Sequence, residues 1–131
     1  MENINKIWGT RSRILLDDHN EIDLLKLKKN TFCSTHTHKD KINVFILVNG
    51  KVKIETEIGY KILMPNDEWT VYPLVKHRFV VLEDSVMLEL AYVRDGKIYE
   101  NDINRESLGG KIIDGKELTI DDLKAKGLLN L

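Results

Sequence analysis

At 131 residues, 42% of them hydrophobic and 31% charged, the chain can bury one core but has no room for a second domain. Its formal net charge is −1 with both signs interspersed, so it offers no basic stripe for nucleic acid and no cationic amphipathic segment for a membrane. The expected partners are therefore a small molecule or another copy of the chain. The single cysteine, Cys33, excludes an internal disulfide. With no signal-peptide pattern and no apolar run of membrane-spanning length, it points to the cytoplasm.

In chain order, short β-type segments are expected at Arg13 to Asp17, Glu21 to Lys28, Thr31 to Thr37, Ile42 to Val48, Lys51 to Glu57, Tyr60 to Met64, Glu68 to Tyr72, Arg78 to Leu82 and Val86 to Val93. That number of short strands indicates an all-β domain. Asn49-Gly50 and Ile58-Gly59 read as hairpin turns, Pro65-Asn66-Asp67 as a turn, and Glu83-Asp84-Ser85 as a polar connection. Val52, Ile54 and Thr56 alternate with Lys51, Lys53 and Glu55, which places one face inside and one in water. Ile42 to Val48 and Val86 to Tyr92 are almost continuously apolar, as expected of strands covered on both sides by a second sheet or a subunit partner. Asp95 to Lys116, rich in Gly, Asn and Asp, reads as an irregular segment folded over a barrel. The chain closes with a short helix: Thr119 as N-cap, Asp121 and Asp122 in the first turn, Lys124 and Lys126 in the last, and Gly127 as the stop.

Two of the four histidines stand one residue apart in "THTHKDKINVFILVNG". On an extended strand, side chains two apart point the same way at a separation of about 7 Å, so His36 and His38 can converge on one object. A metal ion is the expected object, since imidazole is its commonest nitrogen ligand. His77, in "TVYPLVKHRFVV", lies beyond a proline turn that can return it beside the first two. His19, in the polar turn "LDDHNE", and Lys39, Asp40 and Lys41 read as solvated loop residues. Cys33 reads as a small buried side chain, and Trp8, Phe45 and Trp69 as core.

The pattern His36-x-His38, an apolar strand closing on Gly50, then Pro73-x-x-x-His77-x-Phe79, resembles the two motifs of the cupin superfamily. The resemblance implies an all-β double-stranded β-helix, a jelly-roll barrel over about residues 12–93, with the remainder to 131 completing a single domain. It also implies a divalent metal (Zn, Fe, Mn or Ni) held by His36, His38 and His77 and by the residue in the family's glutamate position, seven before Gly50, which here is Asn43. A second departure is Leu74, which stands where the second motif often has glycine. Asn43 can ligate through its oxygen but brings no charge, leaving a bound metal its full +2. Asp40 is the alternative fourth ligand. Trp8-Gly9 and the run Glu100-Asn101-Asp102-Ile103-Asn104-Arg105 extend the resemblance over residues 7–110, to the C-terminal cupin of type II mannose-6-phosphate isomerases. Asp102 and Arg105 have a plainer reading as a surface pair pinning the segment.

The two strands apolar on both faces, with an N-terminal segment and Asp95 to Gly110 that have no obvious place in a closed core, point to a homodimer. The resemblance implies a metal-dependent sugar or sugar-phosphate isomerase or epimerase. Such a reaction needs a base, for which Glu89 and Glu55 are candidates, and a cation for phosphate, for which Lys76, Arg78 and Arg105 are candidates. A non-catalytic module binding a metal or a small polar ligand is the alternative. An iron-dependent oxygenase is a third, since three histidines leave coordination positions open.

Overall fold

The computed structural model describes residues 2–129. Its strands are β1 (Asn3–Lys6), β2 (Gly9–Leu16), β3 (Asn20–Leu27), β4 (Thr31–Phe32), β5 (Thr35–Thr37), β6 (Ile42–Thr56), β7 (Gly59–Leu63), β8 (Glu68–Val71), β9 (His77–Tyr92), β10 (Asn104–Ser107), β11 (Gly110–Ile113) and β12 (Lys116–Thr119). One helix, α1 (Ile120–Ala125), follows. All pairings are antiparallel, and β9 is the hub, bonding to β3, β4, β5 and β6. None of the helices among the described residues is long and apolar enough to cross a membrane.

The long strands β6 and β9 decide the architecture. They pair from Ile42↔Tyr92 to Thr56↔His77, with register shifts between Leu47 and Val52. Each merges two strands expected to be separate. Asn49-Gly50 is therefore not a hairpin turn, because the chain pairs with β9 on both sides of it. It is a bulge at which the ribbon bends over the core. Gly50 has φ 93°, and a Cβ there would lie 2.1 Å from Ser85 Oγ and 2.5 Å from the Asp84 carbonyl oxygen. Only glycine lets the two strands approach so closely. Glu83-Asp84-Ser85, expected as a loop, is the matching bend of β9. Ser85 is buried, and its hydroxyl accepts from the Lys51 N–H at 2.9 Å.

Other turns fold as their chemistry dictates. Thr56↔Gly59 closes the β6–β7 hairpin, and the Asp67 N–H donates to the Met64 carbonyl across Pro65-Asn66. Leu74, in the motif's glycine position, keeps the left-handed backbone at φ 68°, its N–H donating to the His38 carbonyl at 2.8 Å. The helix has the expected ends: Thr119 and Asp122 form a capping box, and Leu128 N–H reaches back to the Leu123 carbonyl over Gly127. Buried Leu123 anchors it.

Two further regions depart from expectation. β1 folds onto β2 around Ile7 and Trp8, although its polar sequence carries no strand alternation. The segment Asp95 to Lys116, expected to be irregular, contains β10, β11 and the start of β12. Gly110 is a packing glycine here: a Cβ would lie 1.9 Å from the Leu118 carbonyl oxygen.

The core fills one part of the barrel with Leu25, Leu27, Leu47, Val52, Ile54, Leu63, Val81 and Met87, and Trp8 packs edge-on to Phe79 at 5.3 Å. On the outside of the same sheet, Ile22, Leu24, Val44, Ile46, Leu88 and Leu90 line up in register across β3, β9 and β6 and are half-buried. No second sheet covers this outer face among the described residues.

Candidate metal centre

The bend in the β6–β9 ribbon builds the site. Asn43 near the start of β6 and His77 at the start of β9 lie toward opposite ends of the ribbon, roughly 40 Å apart if it were straight at about 3.3 Å per residue. Folded over the core, both come to β5. His36 pairs directly with His77, and ring centroids are 4.5 Å apart for His36–His77, 4.9 Å for His36–His38 and 5.2 Å for His38–His77. One ring nitrogen from each of the three lies within 4.8 Å of the others.

The other nitrogen of each ring is tied to backbone. Nδ1–H of His36 donates to the Ser34 carbonyl at 2.8 Å, that of His38 to Asp102 at 2.6 Å, and that of His77 to Val75 at 2.9 Å. Three such bonds fix one tautomer, with the proton on Nδ1 and a bare lone pair on Nε2. Burial is the main force lowering the ring pKa values; neighbouring imidazoles add to it at His36 and His77, and the Lys41 charge at His38. His36 is pushed down to about 3, His77 to about 4, and His38 below its ordinary value. The rings are therefore neutral and able to ligate at neutral pH.

Two buried polar atoms here have no hydrogen-bond partner, His77 Nε2 and Asn43 Oδ1. Leaving such atoms unsatisfied is costly, and a cation at the centre of the cluster would satisfy both. The Asn43 amide nitrogen lies 3.4 Å from His38 Nε2, and half a turn of the amide exchanges it for the oxygen. The donor set of three neutral imidazoles and an amide oxygen fits a divalent transition metal. Asp40, the alternative fourth ligand, is exposed and outside this cluster.

The cluster opens into a cavity of about 230 Å³. Its lining residues Glu21, Lys41 and Glu100 belong to a polar network, with Arg13 outside the lining, that the sequence reading missed. Arg13 Nη1 meets Glu100 at 3.0 Å, Arg13 Nη2 meets Glu21 at 3.4 Å, and the Lys41 ammonium meets Glu21 at 3.5 Å. Lys41 was expected in a solvated loop but is buried. The Asp102 carboxylate accepts the N–H groups of Lys39, Asp40 and Lys41, drawing that loop over the barrel mouth. Asp102 thus holds the loop with its side chain and His38 with its carbonyl. Burial acts to raise the Glu21 carboxyl, but the Asp23 hydrogen bond and the charges of Lys41 and Arg13 carry it below its usual value. Burial, the Glu21 hydrogen bond and the Glu21 charge push Asp23 well up, so this pair retains a proton. Glu89, opposite Asp23 on β9, is pushed up to about 7 by burial and then by Glu21.

Of the residues proposed as base or phosphate cation, Glu89 and Arg105 line the cavity. Glu55 and Arg78 pair with each other at 2.8 Å outside it, with Glu117 as Arg78's second partner at 2.7 Å, and exposed Lys76 pairs with Glu106 at 3.0 Å. Cys33 is buried beside the cavity, its sulfur accepting from the Phe79 N–H at 3.2 Å, and burial raises its thiol to about 12. His19 lies in an exposed turn against the Gly96 carbonyl. Trp8 and Phe45 are buried, and Trp69 packs against the core.

No family model and no curated protein matches the sequence. Solved structures do match. KdgF from Halomonas sp. aligns with a TM-score of 0.61 at 22% identity, over 66% of this chain and 81% of its own. A variant of oxalate decarboxylase from Bacillus subtilis aligns with a TM-score of 0.68 at 17% identity, over 80% of this chain and 30% of its own. A variant of PAC13 from Streptomyces, solved with uridine, aligns with a TM-score of 0.69 at 13% identity, over 82% of this chain and 84% of its own. The shared fold is the all-β cupin barrel, here with one short C-terminal helix.

Proposed function

We propose that the chain is a metal-dependent cupin enzyme that moves a proton within a small polar substrate, as an isomerase or epimerase of a sugar or sugar phosphate does. The observation that carries this reading is Glu89, a carboxyl pushed up to about 7 in the cavity lined by His36 and His38, two of three histidines whose ring nitrogens converge. His36, His38, His77 and Asn43 would hold the ion. A bound divalent zinc, iron, manganese or nickel would polarise a substrate carbonyl and acidify the adjacent C–H.

Glu89 serves as the base, since a proton acceptor with a pKa near the working pH combines availability with driving force. Its position supports the role. It pairs with Phe45 on β6, two residues along the inward face from Asn43. Glu89 would be held in its basic form if a dication were bound nearby, since that charge would oppose the effect of burial. Asp23, opposite Glu89 on β3 and protonated at neutral pH, can return a proton to the substrate. Trp8, Leu25, Phe79 and Leu108 in the cavity wall limit access of water to the reacting carbon.

Proton transfer through an enzyme carboxylate brings solvent hydrogen into the substrate. Metal-loaded protein incubated with hexose and pentose phosphates in D2O should therefore replace one C–H by C–D, read by proton NMR. Glu89→Gln should abolish the exchange without lowering metal content by elemental analysis. Stoichiometric metal with no exchange on any such substrate would favour the second reading, a non-catalytic binding module. The uncharged Asn43 amide, in a position where a carboxylate would bind metal more tightly, is the observation on that side.

The same reading includes a homodimer in the cytoplasm. The apolar outer face formed by Ile22, Leu24, Val44, Ile46, Leu88 and Leu90 can be buried by an identical face across a two-fold axis, and the unpaired Cys33 thiol suits a reducing compartment. Sedimentation at micromolar concentration should give twice the chain mass, and Leu90→Glu should reduce it to one. A wild-type monomer refutes the dimer.

A further inference from the structure

Three cations that form no ion pair among the described residues line one cavity. Lys6 ends β1, Arg11 lies on β2, and Arg105 lies on β10 opposite His36; all three line the cavity. They are close enough to repel one another. The Lys6 ammonium is held below its ordinary value by burial, then by Arg11 and by Arg105. Arg105 also acts on His36 in the same direction.

The acids of the cavity are occupied elsewhere. Glu21 pairs with Arg13 and Lys41, Asp23 and Glu100 pair with Arg13, and none of Lys6, Arg11 and Arg105 forms an ion pair among the described residues. The Arg11 Nε is buried and has no hydrogen-bond partner. Arg11 is close enough to Glu21, Asp23 and Glu89 for its charge to act on them, but it forms no ion pair with any of them. Three cations of one cavity thus lack an ion-pair partner, which a bound anion would supply.

We infer that Lys6, Arg11 and Arg105 form an oxyanion subsite that holds the phosphate end of the substrate while its carbonyl end faces the histidines. The inference rests on the proposed function in taking this cavity as the substrate's. Three positive charges suit a phosphate monoester dianion better than a single carboxylate, and the two guanidinium forks match phosphate oxygens in pairs. Because Arg105 stands across one strand pair from His36, the phosphate would sit on the side of the cavity that carries the histidines. Uncharged sugars should bind more weakly than their phosphates.

The test reads binding rather than turnover, with inorganic phosphate as the probe and calorimetry as the readout, on the protein as purified and again after chelation. Phosphate should bind in both states, more tightly than acetate, and more weakly as salt is raised. Each of Lys6→Gln, Arg11→Gln and Arg105→Gln should weaken it about tenfold, as expected for losing one charge-assisted contact. The double variant Arg11→Gln/Arg105→Gln should abolish binding, and Lys76→Gln, already committed to Glu106, should change nothing. Lys6 is exposed and can be replaced without disturbing the core. Arg11→Lys, which keeps the charge, should retain part of the affinity. If the three glutamine variants bind phosphate as Lys76→Gln does, the subsite is wrong. Binding that disappears on chelation means that the anion ligates the metal, which also overturns the subsite. Phosphate binding that persists while deuterium exchange fails leaves the subsite standing and removes only the isomerase.

Discussion

The middle and the ends of the β6–β9 ribbon are made from the same strands and do opposite things. In the middle, Leu47, Val52, Val81 and Met87 are all 0% exposed and belong to the hydrophobic core cluster. Toward the ends, the inward positions are Asn43, Glu89 and His77, and two of these three carry buried polar atoms with no partner. Burying unpaired polar groups costs stability that the apolar middle must offset. The contrast shows that the fold is held by one half of the barrel, which leaves the other half free to hold strained electrostatics for chemistry.

The most damaging way to break this contrast is Gly50→Val, which forces a Cβ into Ser85 Oγ and the Asp84 carbonyl on a left-handed backbone. It should cost upward of about 4 kcal/mol and remove core and metal site together, seen as loss of a cooperative melt and of bound metal. Next is Leu47→Ala, a core truncation expected to cost about 3 kcal/mol. Denaturant titration should show that loss, while metal content per folded molecule stays unchanged, because Leu47 touches only the middle. His77→Ala should do the reverse, weakening metal binding by about a hundredfold or more. Competition with a chelator measures that loss, and the metal-free protein should lose less stability than Leu47→Ala does.

Glu89→Gln should give a smaller effect whose sign depends on pH. Glu89 titrates at about 7 in the folded chain and near 4.3 when unfolded, so between those values the folded state holds the extra proton. Wild-type stability is therefore lost as pH rises from about 4 to about 7 and is flat above. The variant cannot lose that proton, so its stability relative to wild type should rise across this window. Denaturant midpoints for the two proteins on metal-free samples at several pH values check it. A difference that does not vary with pH would mean that the Glu89 carboxyl is not held up in the folded state.

His77 was legible in the sequence through the motif spacing that it shares with Pro73 and Phe79, and His36 and His38 were legible because their geometry is local, a two-residue step on one strand. The strand alternation of β6 was readable for the same reason. The bend was not, because Asn49-Gly50 has the chemistry of a hairpin turn and only long-range pairing with β9 turns it into a bulge. Glu21 and Asp23 were missed although alternation places them on the face of Leu25 and Leu27. Acids on an apolar face of β3 were the available signal for a polar cavity. Lys41 carried no such signal, since it is drawn inward by Asp102, distant in sequence. The strands after Asp95 were hidden because glycines that permit close backbone packing look like glycines that permit a loop.

The bend at Gly50 also bears on how the molecule reaches its native state. A histidine on β5, an asparagine on β6 and a histidine on β9 meet only after the ribbon has paired along its length and folded over the core. These contacts are far apart in sequence, and closing them is slow compared with helix or hairpin formation. A complete ligand set therefore cannot form in a nascent or partly collapsed chain. Metal added during refolding should not accelerate the rate-limiting step, but should slow unfolding by binding only the finished barrel.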